Sequence, residues 1–234
     1  MLETIGFMGK FLWSPAKIGS LIPTSSRGAD KIADVLFDGD EERDMLITET
    51  GPGTGVVTEK IAERMSAGSR LVLVELRKDF AAKLRDKFGH DKRVTIVNDT
   101  AENMERILRS HGQADRQLNM APMTIMPKTL RRNIFGANRA TLRQPEQGKP
   151  DPRLIVPLFN PMVYFHLQEV FGSVRWAGTA LLNFPPLFIF EASGTPARQI
   201  LPSTAPAQEV LRGAVILDDV LRDRTSSTPA HPLP

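Results

Sequence analysis

Glu49 is followed by three glycines at alternate positions, Gly51, Gly53 and Gly55, in the stretch Leu-Ile-Thr-Glu-Thr-Gly-Pro-Gly-Thr-Gly at 46–55. A glycine-rich turn between a strand and a helix lets the backbone come close to a ligand, because no Cβ stands in the way. Two further acids recur at matching places. Glu75 closes the apolar run 70–75, and Asp99 follows the run 93–97. In an open α/β sheet, ligands bind in the crevice at the C-terminal ends of the strands. The glycines and the three acids, in this order, read as a nucleotide-binding site. The dinucleotide fingerprint G-x-G-x-x-G requires a glycine at position 56, where this chain has Val56.

The elements that must hold these residues follow an α/β rhythm. Residues 45–48 read as a strand, 56–65 as a helix, 70–75 as a buried strand, 79–88 as a helix, 93–97 as a strand and 101–110 as a helix. Strands alternating with helices imply right-handed βαβ units and a parallel sheet. From 111 the pattern weakens, and 114–120 has almost no strand character. Residues 128–143 suit a basic helix, 154–159 a strand despite Pro157, and 163–171 a short helix. Residues 174–180 and 186–192 read as a closing antiparallel pair. Upstream, 2–13 is an apolar helix stopped near Pro15, 18–26 is a loop ending in helix-capping residues, and 27–37 has helical spacing. Three regions are expected: 1–26, an N-terminal amphipathic helix with a loop on the substrate side; 27–193, the ligand-binding domain, with 112–158 diverged; and 194–234, a Pro/Ser/Thr-rich tail, largely disordered but for a helix at 209–221.

The 234 residues suffice for one sizeable core. The chain has no cysteine, so disulfide and thiol chemistry are excluded. His90, His111, His166 and His231 are scattered without a carboxylate cluster, so no metal site is expected. No run reaches the roughly 18 apolar residues of a membrane span, and no secretory signal is read at the N-terminus. A cytoplasmic protein is the expectation.

The pattern E-x-G-x-G-x-G at 49–55 resembles the nucleotide turn of class I S-adenosylmethionine (SAM) methyltransferases. That resemblance implies a Rossmann-like, doubly wound α/β sheet with an antiparallel C-terminal strand, and SAM as cofactor. Each acid then has a role. Glu49 supports the glycine turn and reaches the ligand's ammonium. Glu75 accepts from both ribose hydroxyls, Leu76 packs on the adenine, and Asp99, with Ala101 beyond it, takes the adenine amino group.

Within that class, residues 7–103 resemble the bacterial phospholipid N-methyltransferases, relatives of the rRNA adenine dimethyltransferases. The loop Pro15, Ile18, Gly19, Ser20, Pro23, Thr24, Ser25, Ser26 matches the lipid branch, as do Met126-Pro127, Arg131-Arg132 and Asn183-Phe184-Pro185-Pro186. The rRNA branch uses Asn-x-Pro-Phe/Tyr after its fourth strand, where the aromatic stacks on a flipped base. Here Asn119-Met120-Ala121-Pro122-Met123 has the proline and no aromatic. The resemblance implies methylation of a phosphatidylethanolamine-type amine at the inner face of the cell membrane, with Pro23, Ser25, Ser26, Asn119, Pro122 and Tyr164 on the substrate side. The missing aromatic argues against a nucleic-acid partner. The apolar helix 2–13 is of a kind that lies in a bilayer interface. The basic residues Lys128, Arg131, Arg132, Arg139, Arg143, Lys149 and Arg153 could face anionic headgroups or RNA phosphate. Two rivals stand: an rRNA adenine N-methyltransferase, and a catalytically impaired SAM-fold binding protein, for which the weak 112–158 stretch argues.

Overall fold

Ser25 accepts a hydrogen bond from the Gly28 amide at 3.1 Å and so caps α1, Ser26–Phe37. The expected capping chemistry is thus in place. In this computed structural model the described residues are 24–181 and 186–193. The expected helix at 2–13, Pro23, the Asn183–Pro185 motif and the tail beyond Ser193 lie outside them. Ala29, Ile32, Ala33, Leu36 and Phe37 recur at helical spacing and are buried together against the sheet. Burial of a large apolar side chain stabilises by about 1.5–3 kcal/mol.

The chain continues through β1 (Leu46–Thr50), α2 (Val56–Arg64), β2 (Arg70–Val74), α3 (Lys78–Phe88) and β3 (Val94–Val97). After a 3-10 turn at Ala101–Asn103 come α4 (Met104–Leu108), β4 (Arg116–Asn119), α5 (Lys128–Thr141) and β5 (Arg153–Leu158). A second 3-10 turn, Pro161–Val163, leads into α6 (Tyr164–Phe171), β6 (Ser173–Ala180) and β7 (Leu187–Ser193). The strand order is β3-β2-β1-β4-β5-β7-β6. The first five pair in parallel, and β7 runs antiparallel to both β5 and β6. Ile47, Leu71 and Leu73 face α1, α2 and α3; Leu46, Val72 and Val74 face α4 and α5. This is the doubly wound sheet expected. After β3 the chain returns to the far side of β1, so the strand order switches between β1 and β4. The crevice at that switch point is where such sheets bind ligands.

Three expectations need correction. Strand β1 extends through Thr50, so Glu49 lies inside it, paired with Leu73 on one side and Leu118 on the other. More seriously, the stretch judged poor in strand character supplies β4, a central strand with all four residues buried. Its polarity is matched by partners distant in sequence. Arg116 donates to the Leu36 carbonyl at 3.0 Å, to Asp40 at 2.6 Å and to the Asp151 carbonyl. Gln117 donates to Thr141 at 2.9 Å and Asn119 to Asn138 at 3.1 Å. A buried polar group is tolerated when it is hydrogen-bonded. Pro157 in β5 lies beyond Ile155, the last residue paired with β4, so its missing N–H removes no bond from that ladder.

The basic stretch is likewise not one surface. Arg143 turns inward to Asp115 at 2.6 Å, and Arg153 is buried against Asp38 and Glu191 at 2.8 and 3.3 Å.

Candidate active site

The three glycines of the turn between β1 and α2 all have positive φ, at 69°, 57° and 79°. That backbone is costly for any residue with a Cβ. Their surroundings differ. A Cβ on Gly51 would stand 3.0 Å from the Ala121 amide nitrogen, in the loop after β4. One on Gly55 would stand 2.7 Å from the Phe88 ring. At Gly53 it would meet nothing within 4 Å. Gly51 and Gly55 are therefore needed for packing within the protein, and Gly53 borders open space at the switch point.

Glu75 fixes the far wall. Its Oε2 accepts from the Gly53 amide at 3.1 Å, and its Oε1 from the Arg77 amide at 2.9 Å. Burial pushes its carboxyl up, against the pull of these two amide bonds. A carboxylate offers about four lone-pair sites, so both oxygens can still accept from a ligand's hydroxyls. Asn98, which sequence reasoning missed, donates to the Glu75 and Leu76 carbonyls at 2.8 and 3.0 Å and holds this loop in shape. Its only sequence signal is its place next to Asp99. Asp99 itself is engaged: Oδ1 accepts from the Thr100 amide and from Asn103, and Oδ2 pairs with Arg106. Its amide donates to the Glu75 carbonyl at 3.1 Å, so the ends of β2 and β3 lie side by side. Leu76 is half-buried and Ala101 is buried beside them.

Glu49 is completely buried below the turn. Thr58 in α2, the other residue that sequence reading missed, donates to its Oε2 at 2.7 Å; Oε1 has no protein partner. Burial pushes the Glu49 carboxyl up to about 7, with the Glu75 charge adding to the rise and the Thr58 bond opposing it. An orphaned carboxylate oxygen in such a place calls for a donor, preferably a cation.

On the β4 side, Asn119 is fully buried and its carboxamide is used twice. It accepts from the Ala121 amide at 3.1 Å and donates to Asn138 of α5. It shapes the loop that Gly51 touches. Arg131 donates to the Met123 carbonyl at 3.1 Å, tying the same loop to α5. Pro122 is half-buried and Met123 is 1% exposed. Ser25 caps α1, and Ser26 is the first residue of that helix. Tyr164 is half-buried against Phe190, with ring centroids 5.4 Å apart. Burial pushes its phenol up, which disfavours the phenolate a general base would need.

The structure thus brings Glu49, Gly51, Gly53, Gly55, Glu75 and the Asn119–Met123 loop to one crevice. Its features fit SAM: open space at Gly53, acceptor capacity at Glu75 and an unpartnered oxygen at Glu49. Glu75 would hold the ribose and Glu49 the ammonium. The cofactor supplies an electrophilic methyl on sulfonium sulfur.

Comparison with known proteins agrees with this fold. The family described as "Ribosomal RNA adenine dimethylase" matches residues 10–111. An ornithine lipid N-methyltransferase from Singulisphaera acidiphila is 30% identical over 132 residues, 55% of this chain and 67% of that protein. Ribosomal RNA small subunit methyltransferase A from Mycoplasma capricolum is 36% identical over 73 residues, 31% of this chain and 25% of that one. Among solved structures, an O-methyltransferase from Bacillus cereus in complex with SAH superposes with a TM-score of 0.55 at 16% identity, over 75% of this chain and 86% of that one. Precorrin-6y C5,15-methyltransferase from Geobacter metallireducens also gives 0.55, at 14% identity, over 74% and 90%. At such identities these two show the fold.

The fold and the glycine turn define a class I SAM-dependent methyltransferase, an N-methyltransferase by its relatives. The chain belongs to the family that contains the ornithine lipid N-methyltransferase and is related to the rRNA adenine dimethylases.

Proposed function

We propose that this enzyme methylates the amine of a phosphatidylethanolamine-type lipid at the inner face of the cell membrane. The observation that carries the reading is Met123. It stands where an rRNA enzyme would need an exposed ring to stack on an extruded adenine, and it is aliphatic and 1% exposed. The ornithine lipid relative, whose substrate by name is a lipid, supports the same class of acceptor. No helix among the described residues is long and apolar enough to cross a membrane, so the reading calls for contact from the surface.

The acceptor nitrogen must be unprotonated to attack. Much of the catalysis is then positioning of the two reactants in a site closed to bulk water. Glu49, Glu75 and the glycine turn hold the donor side, and the Asn119–Met123 loop borders the acceptor side.

The rRNA adenine reading is favoured by the family match at 10–111 and by the Mycoplasma capricolum relative. That family match ends before β4 and so covers none of the acceptor loop. Mass spectrometry of phosphatidylethanolamine vesicles incubated with enzyme and SAM tests the lipid reading. Mono-, di- or trimethylated headgroups are expected. Unchanged lipid, with methylated adenine in rRNA treated in parallel, would replace it by the RNA reading.

A further inference from the structure

Five large apolar side chains are exposed among the described residues: Ile125, Met162, Phe165, Trp176 and Leu181. Three of them gather on one side. Ile125 lies in the loop that leaves β4, with its amide bonded to the Pro122 carbonyl at 3.2 Å. Met162 and Phe165 lie in the segment that leaves β5. β4 and β5 are parallel neighbours, so both segments leave the same edge of the sheet, the edge that carries the active-site crevice.

Cations lie beside these side chains. Phe165 and Glu169 are four apart on α6 and share a face. Glu169 is bound by Lys128 at 3.3 Å and approached by Arg132 at 4.0 Å, both from the first turns of α5. His166, three residues before Glu169, feels Lys128, Arg131 and Arg132, whose charges add to the effect of burial in lowering its pKa; Glu169 opposes them. Two exposed cations therefore share a single carboxylate, with Ile125 just before the α5 N-terminus and Met162 one turn from Phe165. Met162 is 57% and Phe165 49% exposed.

We infer that Ile125, Met162 and Phe165, with Lys128 and Arg132, form a surface that docks on an anionic phospholipid bilayer. This rests on the lipid reading of the active site and deepens it. A bilayer interface accepts both halves of such a patch at once: apolar side chains enter the acyl boundary, and the cations sit against phosphates. Ile125 and Met162 have no ring on which a base could stack, so single-stranded RNA would leave them without a partner. Docked this way, the sheet edge with the Asn119–Met123 loop faces the headgroups.

The test uses the full chain and sedimentation with two sets of vesicles, phosphatidylcholine alone and phosphatidylcholine with phosphatidylglycerol. Neither lipid carries a primary amine, so binding is read apart from turnover. Wild type should prefer the anionic vesicles. Met162→Glu/Phe165→Glu should bind both sets at least tenfold more weakly, at low and high salt. Lys128→Gln/Arg132→Gln should lose the preference for phosphatidylglycerol, by about fivefold per cation, and only at low salt. Both variants should keep wild-type SAM affinity and thermal unfolding. Normal vesicle binding by the double glutamate variant would overturn the proposal. So would loss of binding to a single-stranded RNA oligonucleotide, with vesicle binding intact, in the glutamine variant. Methylation by wild type of phosphatidylethanolamine in detergent micelles is measured alongside. If it fails, the lipid substrate is wrong, whatever the vesicles show; if it succeeds while the variants dock normally, only this surface is wrong.

Discussion

The Gly53 amide donates to Glu75 Oε2 at 3.1 Å, so the tip of the glycine turn is tied to the end of the neighbouring strand. The same carboxylate that would hold a ribose also holds the backbone a ligand must pass. Glu75→Ala removes both functions. Hydrogen bonds to a charged group contribute about 1.5–3 kcal/mol each. SAM affinity should therefore fall at least tenfold in calorimetry, with a modest loss of thermal stability from the freed Gly53 and Arg77 amides. Unchanged affinity would remove Glu75 from the cofactor site.

The three glycines should separate by phenotype. Gly53→Val places its side chain in open space and should fold, at a cost of about 1–2 kcal/mol for the left-handed backbone, while losing detectable SAM binding. Gly55→Ala adds a contact 2.7 Å from Phe88 to the same backbone penalty, and overpacking costs about 1–3 kcal/mol more. Urea unfolding should rank Gly55→Ala as the less stable of the two, and calorimetry should rank Gly53→Val as the poorer binder. Equal SAM binding by Gly53→Val and wild type would mean that the open side of the turn is not where the cofactor lies.

Glu49 gives the pH dependence. Its carboxyl titrates near 4.5 when unfolded and at about 7 in the fold. Between those values the folded state binds the extra proton, so its stability falls as pH rises from 4.5 to 7 and is level above. The loss is of order 3 kcal/mol for this one group. Glu49→Gln can still accept from Thr58 and carries no charge. Without cofactor it should be more stable than wild type at pH 8, and the difference should vanish below pH 4.5. SAM affinity of the wild type should rise through pH 7, as the carboxylate form comes to dominate, and the variant should lack that rise. A variant less stable than wild type at pH 8 would show that the buried charge carries no such cost.

Arg116 tests the central strand. Burial, with the Arg153 charge adding to it, lowers its pKa to about 10 against the pull of Asp40. Breaking a buried ion pair from one side costs about 3–5 kcal/mol. Arg116→Ala should lose stability in that range by urea denaturation, because the Leu36 and Asp151 carbonyls lose their donor together with Asp40. A loss below about 1 kcal/mol would mean that water replaces the guanidinium.

The cofactor half of the molecule was legible in sequence because its constraints are local. Positive φ at 51, 53 and 55 demands glycine, and the run Leu71–Val74 is apolar because both of its faces are covered. β4 was not legible because what makes Arg116, Gln117 and Asn119 acceptable inside a sheet lies 76, 24 and 19 residues away. The inward turn of Arg143 and Arg153 was hidden for the same reason: a list of cations does not say which of them meet acids in the fold. Thr58 and Asn98 are ordinary residues whose roles appear only when Glu49 and the Leu76 loop are seen beside them.

A competition between lipid and RNA identifies the acceptor directly. Enzyme is incubated with methyl-labelled SAM and, in the same tube, phosphatidylethanolamine vesicles and unmethylated small-subunit ribosomal RNA. The lipid and aqueous phases are then separated and counted. Label is expected in the lipid phase, on headgroup nitrogen, with none above background in RNA. Label confined to RNA, or label in neither phase from an enzyme that binds SAM, would contradict the lipid reading.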